Sequence, residues 1–180
     1  MKIRLAAALQ SDSIVDGPGI RTVIWTQGCP HHCRGCHNPS THSFEDGELI
    51  PIEDICKEID NLQNQDGITF SGGDPMCQAK ACYHIAKYAK EKGLDIWCYT
   101  GYTFEELLEK KDKDINNFLS VIDVLIDGKF ILKEKSLNLR FKGSKNQRTI
   151  DVKKSLEENK ICLLEEIEDI SLEKPKYMYI

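Results

Sequence analysis

Four short apolar runs, each stopping at a glycine-bearing segment, constrain what this chain can fold into. Thr22-Val-Ile-Trp-Thr-Gln27 runs into Gly28, and Ile68-Thr-Phe-Ser71 into Gly72-Gly73-Asp74-Pro75. Asp95-Ile-Trp-Cys-Tyr-Thr100 runs into Gly101, and Val121-Ile-Asp-Val-Leu-Ile126 into Asp127-Gly128-Lys129. Runs this short, rich in β-branched and aromatic residues and bounded by turn formers, read as strands. Between them the apolar period becomes helical. Ile52, Ile55, Cys56, Ile59 and Leu62 recur at helical spacing. Asp74 can cap a second helix with Pro75 at its first position. Ala79, Cys82, Ile85, Ala86 and Ala89 share one face of that helix, which stops at Gly93. Thr103-Phe-Glu-Glu106 matches a capping box. Leu107, Leu108, Ile115, Phe118, Leu119 and Ile122 continue the helical pattern, with a break near Lys113.

Strands alternating with helices imply βαβ units and a parallel sheet. The 180 residues suit one domain spanning 1–180, whereas a closed eight-fold barrel needs ~250. The expected fold is α/β, an open partial (β/α) barrel with parallel strands. Residues 131–149 read as polar and basic loop. Within 150–180, Ile161-Cys-Leu-Leu164 reads as a late strand and the acidic stretch after it as a solvated tail.

In such folds ligands bind beyond the carboxyl ends of the strands. Residues 28–36, 72–74, 100–101 and 127–129 fall there and are expected to converge on one rim. The first of these segments holds Cys29-Pro-His-His-Cys33-Arg-Gly-Cys36-His37-Asn38. Three thiols in one loop point to metal. A closed structural site takes four protein ligands, and three leave a position open. Two occupants fit the spacing. One is zinc, with His31, His32 or His37 as fourth ligand. The other is a four-iron cluster with one iron free of protein, which S-adenosylmethionine could chelate through its amino and carboxylate groups. Gly72 and Gly73 let backbone atoms approach a small ligand closely, and Asp74 adds charge for an ammonium group. The plainer reading is a tight strand-to-helix turn with Asp74 as its cap. Asp127 and Lys129 place two charges on one side of a strand end, for a ligand or for a surface ion pair.

Other residues read more simply. Cys56, Cys82, Cys98 and Cys162 sit in apolar patterns as buried small hydrophobes, while Cys77 follows the glycine turn and stays open. Asp16-Gly-Pro-Gly19 is a turn by composition. His84 belongs on a helix surface, and Trp25, Trp97 and Phe130 in the core. A net charge of -5 and a pI of about 5.6 argue against a general nucleic-acid binder. The apolar run Leu5-Ala-Ala-Ala-Leu9 is shorter than the ~7–15 residues of a signal core. No stretch approaches the ~18–20 apolar residues of a membrane span. The expected location is the cytoplasm, with no membrane partner and thiols reduced.

Cys29-x3-Cys33-x2-Cys36 resembles the hallmark of the radical S-adenosylmethionine superfamily, and Ser71-Gly-Gly-Asp-Pro75 resembles its second motif. Asp16-Gly-Pro-Gly-Ile-Arg21, Gln27-Gly-Cys29 and Cys36-His-Asn38 resemble the glycyl-radical-enzyme activases. Within these the chain is most similar to the activating enzymes of anaerobic ribonucleoside-triphosphate reductases, from about residue 10 to 150. Trp97-x2-Thr-Gly-Tyr102, Asp123-Val-Leu-Ile-Asp-Gly-Lys-Phe130 and Arg140-Phe-Lys-Gly-Ser-Lys-Asn-Gln-Arg148 carry that likeness.

The resemblance implies that Cys29, Cys33 and Cys36 bind a [4Fe-4S] cluster. It implies that Gly35, Cys36, His37 and Asn38 line the adenosine side of S-adenosyl-L-methionine, with His37 stacking. Gly72, Gly73 and Asp74 would hold the methionine end, and Thr100, Asp127 and Lys129 would add contacts. The implied reaction is hydrogen abstraction from a glycine of the partner reductase, which then makes deoxyribonucleotides without oxygen. A flavodoxin-like reductant would supply the electron. The chain lacks a cysteine-rich insert for further clusters, which disfavours activases that have one. A pyruvate formate-lyase type of activase shares the cysteine loop. The short length, Thr100-Gly-Tyr102 and Gly143-Ser-Lys-Asn-Gln147 stand against it. A non-enzymatic zinc module is the alternative of another class.

Overall fold

The computed structural model describes residues 1–164. In chain order, strands β1 (Lys2–Leu5), β2 (Gln10–Ser13), β3 (Arg21–Thr26) and β4 (Glu48–Pro51) precede helix α1 (Ile52–Asp60). Strand β5 (Gly67–Gly72), helix α2 (Ala79–Glu91) and strand β6 (Asp95–Tyr99) follow. Helices α3 (Phe104–Glu109) and α4 (Lys113–Leu119) lead to β7 (Val124–Asp127), β8 (Arg148–Asp151) and α5 (Val152–Glu158). The sequence break near Lys113 is real: Asp112 caps α4 by accepting from the backbone of Asp114 and Ile115. Both halves of the capping box at Thr103 and Glu106 are present.

The sheet runs β4-β1-β3-β5-β6-β7-β8, with β2 also paired to β3. Strands β3, β5, β6 and β7 are parallel in that order. Antiparallel strands flank them, β1, β2 and β4 on one side and β8 on the other. The sheet does not close, so the α/β fold is an open partial barrel with a parallel centre. The flanking strands escape a sequence reading because each has only four residues, too few to establish an alternation, and β2, Gln10-Ser-Asp-Ser13, is wholly polar. β8 begins inside the segment read as loop and exists through its pairing with β7. Ile161-Cys-Leu-Leu164 makes one antiparallel bridge, Leu163 to Ile150, rather than a strand. The acidic stretch beyond it lies outside the described residues.

Alternation along each parallel strand divides the sheet into two faces. Ile68, Phe70, Ile96, Cys98 and Leu125 join the core beneath the helices, where Cys82, Ile85, Ala86 and Ala89 of α2 close over them. Phe118 of α4 meets Phe70 edge-on at 5.2 Å. The opposite face is the barrel interior, where Trp97, Val124 and Ile126 pack with Tyr99 and Phe141. Arg21 lies wholly buried there. It donates to Thr69 Oγ1 at 2.8 Å, Ile68 O at 3.1 Å and Pro18 O at 3.2 Å, and it pairs with the Asp95 carboxylate. Thr69 in turn donates to Asp16 O at 2.8 Å. The Asp16-Gly-Pro-Gly19 turn is therefore tied to a buried cation at the amino ends of β3, β5 and β6. No helix among the described residues is long and apolar enough to cross a membrane.

Asp127 ends β7 on the helix side of the sheet and is 1% exposed. Its carboxylate accepts from the Phe104 backbone at 2.8 Å and from Arg148 Nε at 2.9 Å, and Arg148 also engages Glu105 at 2.7 Å. A buried carboxylate stripped of its cation is strongly destabilising. Arg148→Ala should lower the unfolding free energy of the metal-free protein by about 3 kcal/mol in urea titrations. Glu105→Ala, which removes only the exposed partner, should cost under about 1 kcal/mol.

Candidate active site

Because β3, β5, β6 and β7 are parallel, their carboxyl ends open on one edge. A cavity of about 430 Å³ lies there, lined by Cys29, Cys33 and Cys36 from the first segment, Gly72 and Gly73 from the second, and Thr100 and Gly101 from the third. His31, His37, Asn38 and Gly128 also line it. The loop that carries the cysteines is closed at its stem. Gly28 N–H donates to Thr41 O at 2.8 Å, and Cys29 N–H to His42 O at 3.1 Å. Within the loop, Cys36 N–H donates to Cys33 O at 3.1 Å and Asn38 N–H approaches Cys36 Sγ at 3.3 Å.

The second segment meets that stem backbone to backbone. Gly73 N–H donates to Thr26 O at 2.7 Å and Asp74 N–H to Gly28 O at 2.8 Å. A methyl group at Gly73 would collide with the Gly28 carbonyl, so the approach demands glycine. Asp74 is 1% exposed and faces inward. It accepts from Met76 N–H, from Gly101 N–H and from Thr100 Oγ1, each at 3.0 Å, and lies 2.7 Å from His31 Nε2. Asp74 thus caps the 3-10 turn Pro75–Gln78 that leads into α2, rather than α2 itself, and beyond that ties the ends of β5 and β6.

Gly35, Asp127 and Lys129 lie outside the cavity wall. Leu132 packs over Gly35. Asp127 belongs to the helix face with Arg148, whereas Lys129 is exposed. The chain turns at Gly128, so the two charges do not share one side as an extended strand would place them. Lys129 nevertheless acts on the site, since its charge favours the Cys33 thiolate and offsets part of the upward push of burial.

Some lining residues lie outside the set expected at the site. Trp25 and Phe130, expected in the core, line the cavity, as do Tyr99 and Phe141. Alternation puts Trp25 on the interior face with Arg21. Phe130 packs against the His37 ring at 4.8 Å. Gln147 ties the far wall by accepting from Gly143 N–H at 2.8 Å and donating to Gly128 O at 3.1 Å. Residues 129–145 carry six basic side chains against one acidic, on a chain whose net charge is -5.

The chain matches the 4Fe-4S single cluster domain family over residues 15–150. It is 39% identical over 142 residues to the anaerobic ribonucleoside-triphosphate reductase-activating protein of Vibrio cholerae, covering 74% of this chain and 89% of that one. The protein of that name from Escherichia coli K12 is 35% identical over 143 residues, covering 74% and 90%. That from Enterobacteria phage T4 is 34% identical over 142 residues, covering 74% and 85%. This chain belongs to the anaerobic ribonucleoside-triphosphate reductase-activating family. 

The thiols of this activase-family chain suit an iron–sulfur cluster on chemical grounds. Burial pushes the Cys29 thiol up to about 11, with the Asp74 charge adding to the effect. Burial also raises Cys33. Thiolates are the ligating form, and a cationic cluster supplies the positive charge that the protein withholds. His31, one candidate fourth ligand for zinc, has its Nε2 on Asp74 instead.

In the metal-free protein Cys29 should therefore alkylate slowly. With its pKa about 11 rather than 9.0, its thiolate fraction at pH 8 is lower by roughly a hundredfold. Iodoacetamide labelling followed by mass spectrometry should show Cys29 reacting far behind a model thiol, its rate rising about tenfold per pH unit until near pH 11.

Proposed function

We propose that this chain activates an anaerobic ribonucleoside-triphosphate reductase by generating a glycyl radical in it. The observation that carries this reading is the convergence of three thiols and a Gly72–Gly73 turn on one cavity wall, in a chain of this family. A bound [4Fe-4S] cluster would supply one-electron reduction of S-adenosylmethionine, giving methionine and a 5′-deoxyadenosyl radical able to take a hydrogen atom from the partner's glycine.

The protein's residues hold and orient. Cys29, Cys33 and Cys36 would hold the cluster by three thiolates, which leaves one coordination position for the ligand. Gly72 and Gly73, which must be glycine because a Cβ would strike the backbone of Thr26 and Gly28, would offer backbone groups to the methionine end. His37, half sandwiched by Phe130, and Asn38 stand on the adenosine side. Thr100 and Asp74 keep the turn in place from behind. Asp127 and Lys129 serve at a distance, the first by anchoring β7 and α3, the second by its field at Cys33.

An external one-electron donor of flavodoxin type completes the system. The basic segment 129–145 supports this, because it covers the Cys33–Gly35 side of the loop and would attract an acidic donor. The activase names of the relatives favour the reductase over pyruvate formate-lyase as partner, and the 4Fe-4S family match displaces the zinc module.

The test uses anaerobically reconstituted, dithionite-reduced protein with S-adenosylmethionine and the cognate reductase, read by electron paramagnetic resonance. A glycyl-type doublet that needs every component is expected. Cleavage to 5′-deoxyadenosine without a doublet would remove the partner assignment, and zinc without iron or sulfide would remove the enzyme. Cys33→Ala should abolish cleavage while circular dichroism shows the fold intact, and retained cleavage would overturn its role.

A further inference from the structure

His31 sits in the cysteine loop, two residues after Cys29 and two before Cys33. Its backbone bonds the Cys29 thiol and it lines the cavity, but its side chain is held from elsewhere. Nε2 lies 2.7 Å from Asp74 Oδ2, with the two side chains 5% and 1% exposed. A carboxylate only accepts, so the imidazole carries its proton on Nε2 in this bond. The ring packs against Gly101, where a methyl group would collide with it. It meets the Tyr102 ring edge-on at 4.5 Å, and Tyr102 carries the Lys110 ammonium 4.4 Å above its own ring. Every one of these partners follows β5 or β6.

The Asp74 carboxylate has about four acceptor positions. Met76 N–H, Thr100 O–H, Gly101 N–H and His31 N–H supply four donors. No position remains for the ammonium group of a ligand, so the carboxylate acts as a mount. The backbone bonds from Gly73 and Asp74 fix the stem of the cysteine loop at Thr26 and Gly28. They stop short of the arc that carries Cys33 and Cys36. The His31–Asp74 bond carries the constraint into that arc.

We propose that His31 is a positioning residue. Through Asp74 it sets the separation between the thiol loop and the Gly72–Gly73 turn, so that one molecule of S-adenosylmethionine reaches the open iron and the turn together. This rests on the function proposed above. A ligand held at both ends binds tightly only where the two supports are rigidly spaced, to within about 0.5 Å.

The experiment compares wild type with His31→Ala, His31→Gln and His31→Asn in the reconstituted full chain. It measures iron and sulfide content, S-adenosylmethionine affinity by anaerobic equilibrium dialysis, and the resonance spectrum of the reduced cluster with and without that ligand. Amide exchange across residues 29–36 is followed in the metal-free protein. His31→Ala should keep wild-type iron and sulfide, bind S-adenosylmethionine at least about tenfold more weakly, and lose most of the ligand-induced spectral change. A glutamine amide can stand where Nε2–H stands, so His31→Gln should bind within about threefold of wild type. The shorter asparagine should behave like alanine. Exchange across 29–36 should quicken in His31→Ala and not in His31→Gln.

Unchanged affinity in His31→Ala would overturn the proposal. So would a glutamine variant no better than alanine, or loss of the cluster in His31→Ala, which would make the residue a loop-assembly element. Failure of the wild-type holoprotein to bind S-adenosylmethionine would sink the function instead. The exchange data, taken without metal, keep the two failures apart.

Discussion

The buried carboxylate of Asp74 is the node on which the site depends. Taking an ionised carboxylate out of water costs several kcal/mol unless hydrogen bonds replace its hydration. Here the replacements come from three places in the chain: the start of α2's lead-in turn, the end of β6, and the cysteine loop. None of the three can move without leaving that charge short of a donor. Local structure at the carboxyl ends of β3, β5 and β6 is therefore cooperative, although no covalent link or regular element joins them.

Two other buried charges divide the remaining work. Arg21, wholly buried, gathers the Asp16-Gly-Pro-Gly19 turn, Thr69 and Asp95 at the amino end of the barrel interior. Asp127 with Arg148 joins β7, β8 and the first turn of α3 on the helix side. Each sits where elements distant in sequence must meet, and each is satisfied by backbone groups as well as by a counter-charge. An open sheet lacks the closure that fixes a full barrel. Polar anchors at the two ends and at one edge supply part of that constraint.

The parallel centre of the fold was legible because its strands, covered on both faces, are continuous apolar runs that end in glycine. The flanking strands were not, since β1, β2, β4 and β8 take their identity from pairing rather than composition. The site shows the same division. The thiols, the Gly72–Gly73 turn and Thr100 stand out by residue type and position. Asp74 was visible as a cap but not as a saturated acceptor, because its partners at His31, Thr100 and Gly101 are set by tertiary contact. Asp127 and Lys129 misled because strand periodicity was extended through Gly128, where the chain turns. Trp25 and Phe130 are large and apolar, and only the face that each occupies separates cavity wall from core.

The two halves of the rim differ in how they are held, and this bears on function. The half around residues 72–74 and 100–101 rests on strand-end backbone bonds and a buried charge. The half formed by residues 128–147 has backbone bonds too, such as Gly128 N–H to Tyr102 O at 3.0 Å, but leans more on side-chain amides and hydroxyls, with Gln147 bonding Gly128 and Gly143, Asn146 bonding Lys129 O at 2.8 Å, and Ser144 bonding Ile131 N–H at 3.1 Å. Neutral side-chain bonds of this kind contribute only about 1 kcal/mol each, whereas on the other side a lost donor leaves the buried Asp74 charge unsatisfied. In the function proposed above, residues 72–74 hold the methionine end and His37 and Asn38 the adenosine end, so the partner's glycine would approach beside the wall that leans more on side chains.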